Sequence, residues 1–204
     1  MTFHCCMNLV ALFSGRVYNT ICGLLGSNWY AVAATVALGA LAVCHIVYAF
    51  ILTAQNRSAR GANRYEVTAK PEKVEWASQN MLVLGIIVLL GLALHLFNFW
   101  YNMMFAELVG MRTVLEPTDG FGLIRATFQN KVYIILYVIW IVALWYHLSH
   151  GFWSAMQTIG INGKVWFNRW KVIGTVYVTL LMLAFLVVVL AFAFGCAPSL
   201  HCAA

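Results

Sequence analysis

The chain has 204 residues, of which 63% are apolar and only 9% charged, and its mean hydropathy is +0.85. A soluble domain of this length carries about 25% charged residues, so twelve basic and six acidic side chains cannot cover a water-facing globule. The composition excludes a cytosolic enzyme, a disordered chain and a nucleic-acid-binding domain, and the net charge of +6 marks loops that face the cytoplasm of a membrane protein.

The first fifteen residues, MTFHCCMNLVALFSG, are uncharged and mostly apolar. They are too short to span a bilayer and lack the positive start of a signal peptide. They read as the second half of a helix whose first half is absent from the chain. Four charge-free runs follow: Trp29 to Ala54, Gln79 to Ala106, Val132 to Gly163 and Val172 to Cys196. Each exceeds the ~20 residues that cross a bilayer. In lipid the backbone must satisfy its own hydrogen bonds, so each run becomes a helix. The expected helices cover about 1–15 (partial), 29–54, 79–105, 132–158 and 172–196. The fold class is an all-α membrane protein: a five-transmembrane-helix bundle, its first helix truncated, forming a single domain over residues 1–204.

The loops orient the bundle. Arg57, Arg60, Arg64, Lys70 and Lys73 crowd residues 55–75, and Lys164, Arg169 and Lys171 crowd 162–171. The loop at 16–28 holds only Arg16 and the loop at 107–130 only Arg112 and Arg125, and the C-terminal tail has no cation. The positive-inside rule puts 55–75 and 162–171 in the cytoplasm and the C-terminus outside. The expected location is a bacterial inner (cytoplasmic) membrane. Trp29, Tyr30, Trp100, Tyr101, Trp166 and Trp170 lie near helix ends, where an aromatic belt accounts for them. The loops are too short for a soluble catalytic domain. Of the six cysteines, Cys5, Cys6 and Cys44 read as small packing residues. Cys22 has Cys196 or Cys202 as disulfide partners if both ends face an oxidising compartment.

Histidine carries the chemistry. His4, His45, His95, His147 and His150 fall in apolar segments, while every acid lies in or beside a loop. An ionisable residue at membrane depth is costly and marks function by default. Without carboxylate partners these imidazoles do not form a proton relay, whereas heme iron accepts axial histidine. With the helices alternating in direction, His45 and His150 share an inner layer and His4 and His95 an outer one. Two bis-histidine hemes stacked in this way would conduct electrons across the membrane. A lone intramembrane histidine also hydrogen-bonds a neighbouring helix. That accounts for whichever of His147 and His150 is not a ligand; His150 is favoured because Gly151 leaves room for a flat macrocycle. Gly39, Gly85 and Gly91 give space for a heme and equally for close helix packing.

The strings AVCHIVYAFILTAQNR (42–57), WASQNMLVLG (76–85), LHLFNFWYNM (94–103) and LWYHLSHGFWSAMQTIG (144–160) resemble the cytochrome b membrane-anchor subunit of succinate:quinone oxidoreductases. The likeness is to the single-chain diheme, Bacteroidetes-like type and covers nearly the whole chain. It implies five helices around two heme b groups, with His45 and His150 holding the inner heme and His4 and His95 the outer one. The family's fourth-helix ligand precedes a glycine, which matches His150-Gly151. It implies a flavoprotein subunit and an iron–sulfur subunit as partners, with menaquinone as substrate. The anchor of a succinate dehydrogenase or fumarate reductase is thus the expected function, with succinate and fumarate handled on the flavoprotein. The alternative is an anchor of another membrane oxidoreductase, such as formate dehydrogenase or hydrogenase. Two departures stand out. The opening matches only the end of the family's first helix. A glutamate that some diheme fumarate reductases carry two residues before the fourth-helix ligand is Leu148 here, so that proton path is not carried over.

Heme carboxylates need donors near the membrane surface. Trp76 and Gln79, at the start of the third helix, are the candidates. A quinone needs an apolar slot with a few polar contacts. Asn28, Trp29 and Tyr30 at the outer face and Ser78 at the inner face are candidates for that slot.

Overall fold

The structure is a computed structural model and describes residues 1–26, 28–60, 75–161 and 163–200. The described residues are helical, with no strand among them. In chain order they form α1 (Thr2–Phe13), α2 (Gly15–Leu25), α3 (Trp29–Arg60), α4 (Trp76–Gln79) and α5 (Met81–His95). A π-helix (Leu96–Phe105) and α6 (Ala106–Val109) continue α5 as one rod. Next come α7 (Gly120–Gln129), α8 (Lys131–Thr158) and α9 (Lys164–Ala193), closed by a 3-10 turn at Pro198–Leu200. Four of these rods are long and apolar enough to cross a membrane: Trp29–Ala59, Met81–Val109, Lys131–Thr158 and Lys164–Leu200.

The four long runs are therefore helices of spanning length and apolarity. The opening helix, twelve residues long, reaches only about 18 Å at 1.5 Å per residue. Helix α9 begins at Lys164, before the expected start at 172. A charge-free run measures how much of a helix lipid can cover. The helix itself continues into the polar interface, where Arg169 lies over the Trp166 ring and Trp170 Nε1 donates to Ile161 O at 2.8 Å.

Two helices stand where the sequence reading placed loops. Helix α2 is started by Ser14, whose hydroxyl accepts from Val17 N at 3.3 Å. Helix α7 is started by Asp119, whose Oδ1 accepts from Gly122 N at 2.9 Å. Both are side-chain caps on otherwise orphaned amides. The same Asp119 oxygen accepts from Asn19 Nδ2 at 2.7 Å, and Asn19 Oδ1 accepts from Phe121 N at 2.8 Å. This reciprocal pair clamps α2 to α7 across one end of the bundle.

Helices α8 and α9 pack along their lengths, with α5 against α8 and α1 against α9. Helix α1 runs parallel to α9, because Thr2 meets Tyr177, Cys5 meets Leu181 and Ala11 O accepts from Ser199 Oγ at 2.7 Å. The core lies among these helices and α7, around Leu12, Ile124, Phe128, Tyr137, Ile141 and Leu181. Gly91 packs flat on the Trp140 ring, which a Cβ would enter. Trp140 Nε1 then donates to Val88 O at 3.0 Å and locks α5 to α8. Gly91 thus serves helix packing. Helix α3 stands apart, with none of its most apolar stretch buried.

Replacing Asp119 with alanine removes both the α7 cap and the anchor for Asn19. Loss of a helix cap costs about 0.5–2 kcal/mol, so Asp119→Ala is expected to lower the midpoint of thermal unfolding in detergent. An unchanged circular-dichroism melting curve would rule out a stabilising clamp.

Candidate functional site

The five intramembrane histidines sort by which neighbour each ring meets. His4 on α1 faces His95 at the end of α5, with ring centroids 5.8 Å apart and planes at 88°. Phe185 of α9 closes over His4 at 5.8 Å. Phe99 and Trp140 lie 5.2 and 5.5 Å from His95. His4 Nε2 has Asn8 Nδ2 at 3.4 Å, while the Nδ1 of His95 is buried with no hydrogen-bond partner.

The π-helix begins directly after His95. Its wider turns free backbone carbonyls, and asparagine amides take them up. Asn102 Nδ2 donates to Phe97 O at 3.0 Å and Asn98 O at 3.1 Å, and the buried Asn98 donates to Tyr137 Oη at 3.4 Å. Single-turn π segments cluster at functional sites; here a longer one fixes how the rod leaves the His95 position. The signal in the sequence was two asparagines four apart inside an apolar run.

The second pair joins α3 to α8. His45 faces His147, with ring centroids 6.1 Å apart and planes at 83°. The sequence reading set His150 opposite His45, and the structure differs. Residues three apart on a helix point about 60° away from each other, and His147 has the bearing toward α3 and α5. His147 lies beside Gly85, where an added Cβ would meet Cε1 at an ordinary 3.9 Å, and its Nδ1 is buried and unpartnered. His150 turns the other way. Its Nδ1 lies 3.4 Å from Glu75 Oε2, and its ring meets Trp153 edge-on at 4.7 Å. Nothing lies within 4 Å of a Cβ at Gly39 or Gly151.

The pairs lie at two levels. On α5 the inner level is marked by Gly85 beside His147, and the outer level by His95 itself. Those positions are ten residues apart, or about 15 Å along a helix axis.

Each pair fits a metal that brings its own equatorial ligands. An imidazole nitrogen binds a first-row metal at about 2.0–2.1 Å, and the ring centroid lies about 1 Å behind it. Two opposed rings sharing one ion therefore have centroids about 6 Å apart. No group of three or more His, Cys, Asp or Glu suited to a metal ion occurs among the described residues. A bare ion would thus lack ligands, whereas heme iron needs only two axial ones. Each pair supplies two imidazoles from different helices, which is the axial set heme iron takes.

Trp76 and Gln79 are both exposed on α4, which lies against α8. The Trp76 ring meets Tyr146 at 5.2 Å and lines a cavity of about 290 Å³ with Glu75, Trp145, Ser149, His150 and Lys171. The sequence reading left Glu75 and Lys171 as loop charges. Lys171 Nζ donates to Glu75 Oε1 at 2.7 Å and also lies 4.6 Å from the centre of the Trp153 ring. The Lys171 hydrogen bond holds the Glu75 carboxyl below the usual range against the opposing cost of burial, with the Lys171 charge and then His150 adding lesser effects.

The outer quinone candidates have local roles. Asn28 Nδ2 and Tyr30 Oη both donate to Leu24 O at 2.5 Å, closing the turn after α2. Trp29 and Ser78 are exposed. Cys22 and Cys196 are free thiols. Cys202 and His201, along with Arg64, Lys70 and Lys73, lie outside the described residues. No protein-family model, curated protein or solved structure matches the chain.

Because the folded carboxyl of Glu75 titrates below its ordinary value, its contribution to stability is full above that value. It is lost as pH falls through the depressed one. Lys171→Met is expected to move the Glu75 titration upward, toward an ordinary carboxylate. Carboxyl-labelled NMR or infrared titration reads the shift, and an unmoved midpoint would show that Lys171 is not its cause.

Proposed function

We propose that this chain is a diheme cytochrome b, the membrane anchor of a succinate dehydrogenase or fumarate reductase. In this reading it carries electrons between menaquinone and an iron–sulfur subunit, while a flavoprotein subunit interconverts succinate and fumarate. The observation that carries the electron-transfer reading is the pair of opposed imidazole sets, drawn from four different helices at two levels. The resemblance of residues 42–57, 76–85, 94–103 and 144–160 to succinate:quinone oxidoreductase anchors carries the choice of complex.

His4 and His95 would hold the outer heme. His45 and His147 would hold the inner one, and the facing rings favour His147 over His150. Heme, when bound, supplies a one-electron couple tuned by its axial ligands and burial. The chain supplies ligands, spacing and a water-poor, low-dielectric path. Trp140, Phe99 and Phe185 pack the outer pair, so its rings are held by aromatic contact. The basic ends at 55–75 and 162–171 favour a cytoplasmic position in a bacterial inner membrane, with the C-terminus outside.

The purified protein is expected to show a low-spin b-type difference spectrum with about two non-covalent hemes per chain, one for each bis-histidine site. A folded, heme-free preparation would sink the reading. His45→Ala and His147→Ala should abolish the same heme, His4→Ala and His95→Ala the other, and His150→Ala should leave both. Loss of the inner heme in His150→Ala, with His147→Ala intact, would return the ligand role to His150. A flavoprotein with covalent flavin among co-purifying subunits supports this complex; a molybdenum or nickel subunit supports a formate dehydrogenase or hydrogenase instead.

A further inference from the structure

The cavity between α4, α8 and α9 has no part in the histidine pairs, and its lining has a chemistry of its own. Its walls are flat rings: Trp76, Trp145, Tyr146 and Trp153. Trp145 is fixed in place, because its Nε1 donates to Thr179 Oγ1 at 2.8 Å. Its polar groups are few and converge. Ser149 Oγ is buried with no hydrogen-bond partner, His150 presents its ring, and the Glu75–Lys171 pair forms the rim. An apolar aromatic slot with a small number of placed polar groups is the form of a small-molecule site. A buried hydroxyl left unpaired costs about 1–3 kcal/mol, which a ligand oxygen in the slot would relieve.

Size and charge narrow the ligand. About 290 Å³ lies at the low end of ligand pockets, so it suits a headgroup of one or two fused rings. The Glu75 carboxylate meets the Lys171 ammonium at 2.7 Å, so the rim cancels its own charge. A neutral ring with carbonyl oxygens fits such a rim better than a second carboxylate, which Glu75 would repel. The donors Ser149, His150 and Lys171 match the carbonyls of an oxidised ring, and Glu75 matches the hydroxyl of a reduced one. Past Thr175, α9 exposes Val176, Leu180 and Leu183, an apolar track for a hydrocarbon tail.

We infer that this cleft binds the headgroup of a quinone, with Ser149 and Lys171 as its principal donors. The inference rests on the reading of the chain as a quinone-linked electron carrier and adds the place of the exchange. Ser149 and His150 follow His147 within one helical turn, so the headgroup would sit beside the inner histidine pair. The outer-face candidates Asn28 and Tyr30 are committed to the Leu24 carbonyl.

The test is photolabelling of the purified full chain in lipid nanodiscs with an azido-naphthoquinone, competed by unlabelled menaquinone. Peptide mapping should place competed adducts on residues 75–77 or 145–153. Lys171→Gln and Ser149→Ala should each weaken half-saturation by roughly tenfold, the scale of one good hydrogen bond. Thr175→Trp should fill the slot and abolish labelling. Helix content and heme content are recorded for each variant, so that a misfolded Thr175→Trp leaves the two smaller substitutions to decide. Competed adducts only near residues 18–30 or 113–126 would overturn the inference. So would Lys171→Gln and Ser149→Ala proteins that lose heme while binding quinone normally, because the cleft would then serve the heme carboxylates. A heme-free protein that still labels in the cleft would defeat the cytochrome reading while leaving the quinone site standing.

Discussion

At membrane depth no water is available to satisfy an imidazole nitrogen, and the placement of helices in this protein follows from that constraint. An uncharged apolar helix in lipid has little preference for one neighbour over another, because lipid tails are as apolar as its own side chains. Specific approach comes from small residues, polar contacts and ligands. The histidines mark where helices meet: α1 with α5 at His4 and His95, and α3 with α8 at His45 and His147. Elsewhere in the body, contact is made by jigsaw fits such as Trp140 over Gly91.

Helix α8 organises these demands. Its Tyr137 and Trp140 ring His95, its His147 faces α3, and its Ser149, His150 and Trp153 face the cleft beside α4 and α9. A helix distributes residues at about 100° each, so neighbours in sequence serve different partners. His147 and His150 illustrate the consequence. Three positions apart, one has a buried nitrogen with no partner, and the other is engaged by a carboxylate whose charge Lys171 has already balanced. A buried unpartnered nitrogen and an engaged one thus lie one turn apart on the same helix.

Much of this was legible in the amino-acid order. Hydropathy alone locates the four long spans, because lipid imposes one requirement on every residue between the interfaces. The emptiness of those spans and of the opening segment makes five histidines visible and separates two layers of them. The turn that sets His147 rather than His150 against His45 was not legible, since Glu75, which meets His150, lies just before a different helix across 75 positions of chain. Helices α2 and α7 were missed for a different reason. They are short, polar enough to look like loops, and held by caps at Ser14 and Asp119 that a search for apolar runs passes over. The π-helix was equally hidden, because a search for apolar runs reads straight through its two asparagines.

The isolation of α3 draws these threads together. No part of its most apolar stretch is buried, yet it carries one member of the inner pair. A helix so placed gains little from packing, and its link to the body is the approach of His45 to His147. On the reading proposed above, an iron held between those rings would tie α3 to α8 by two coordination bonds, so that cofactor binding and helix assembly become one equilibrium. The outer pair has no such dependence. His4 and His95 sit on helices already joined to the packed body through α9 and α8, with Phe185 and Trp140 closing over them. On that reading the two sites would differ in kind: one would lie within a prebuilt aromatic cage, and the other would assemble the bundle that contains it.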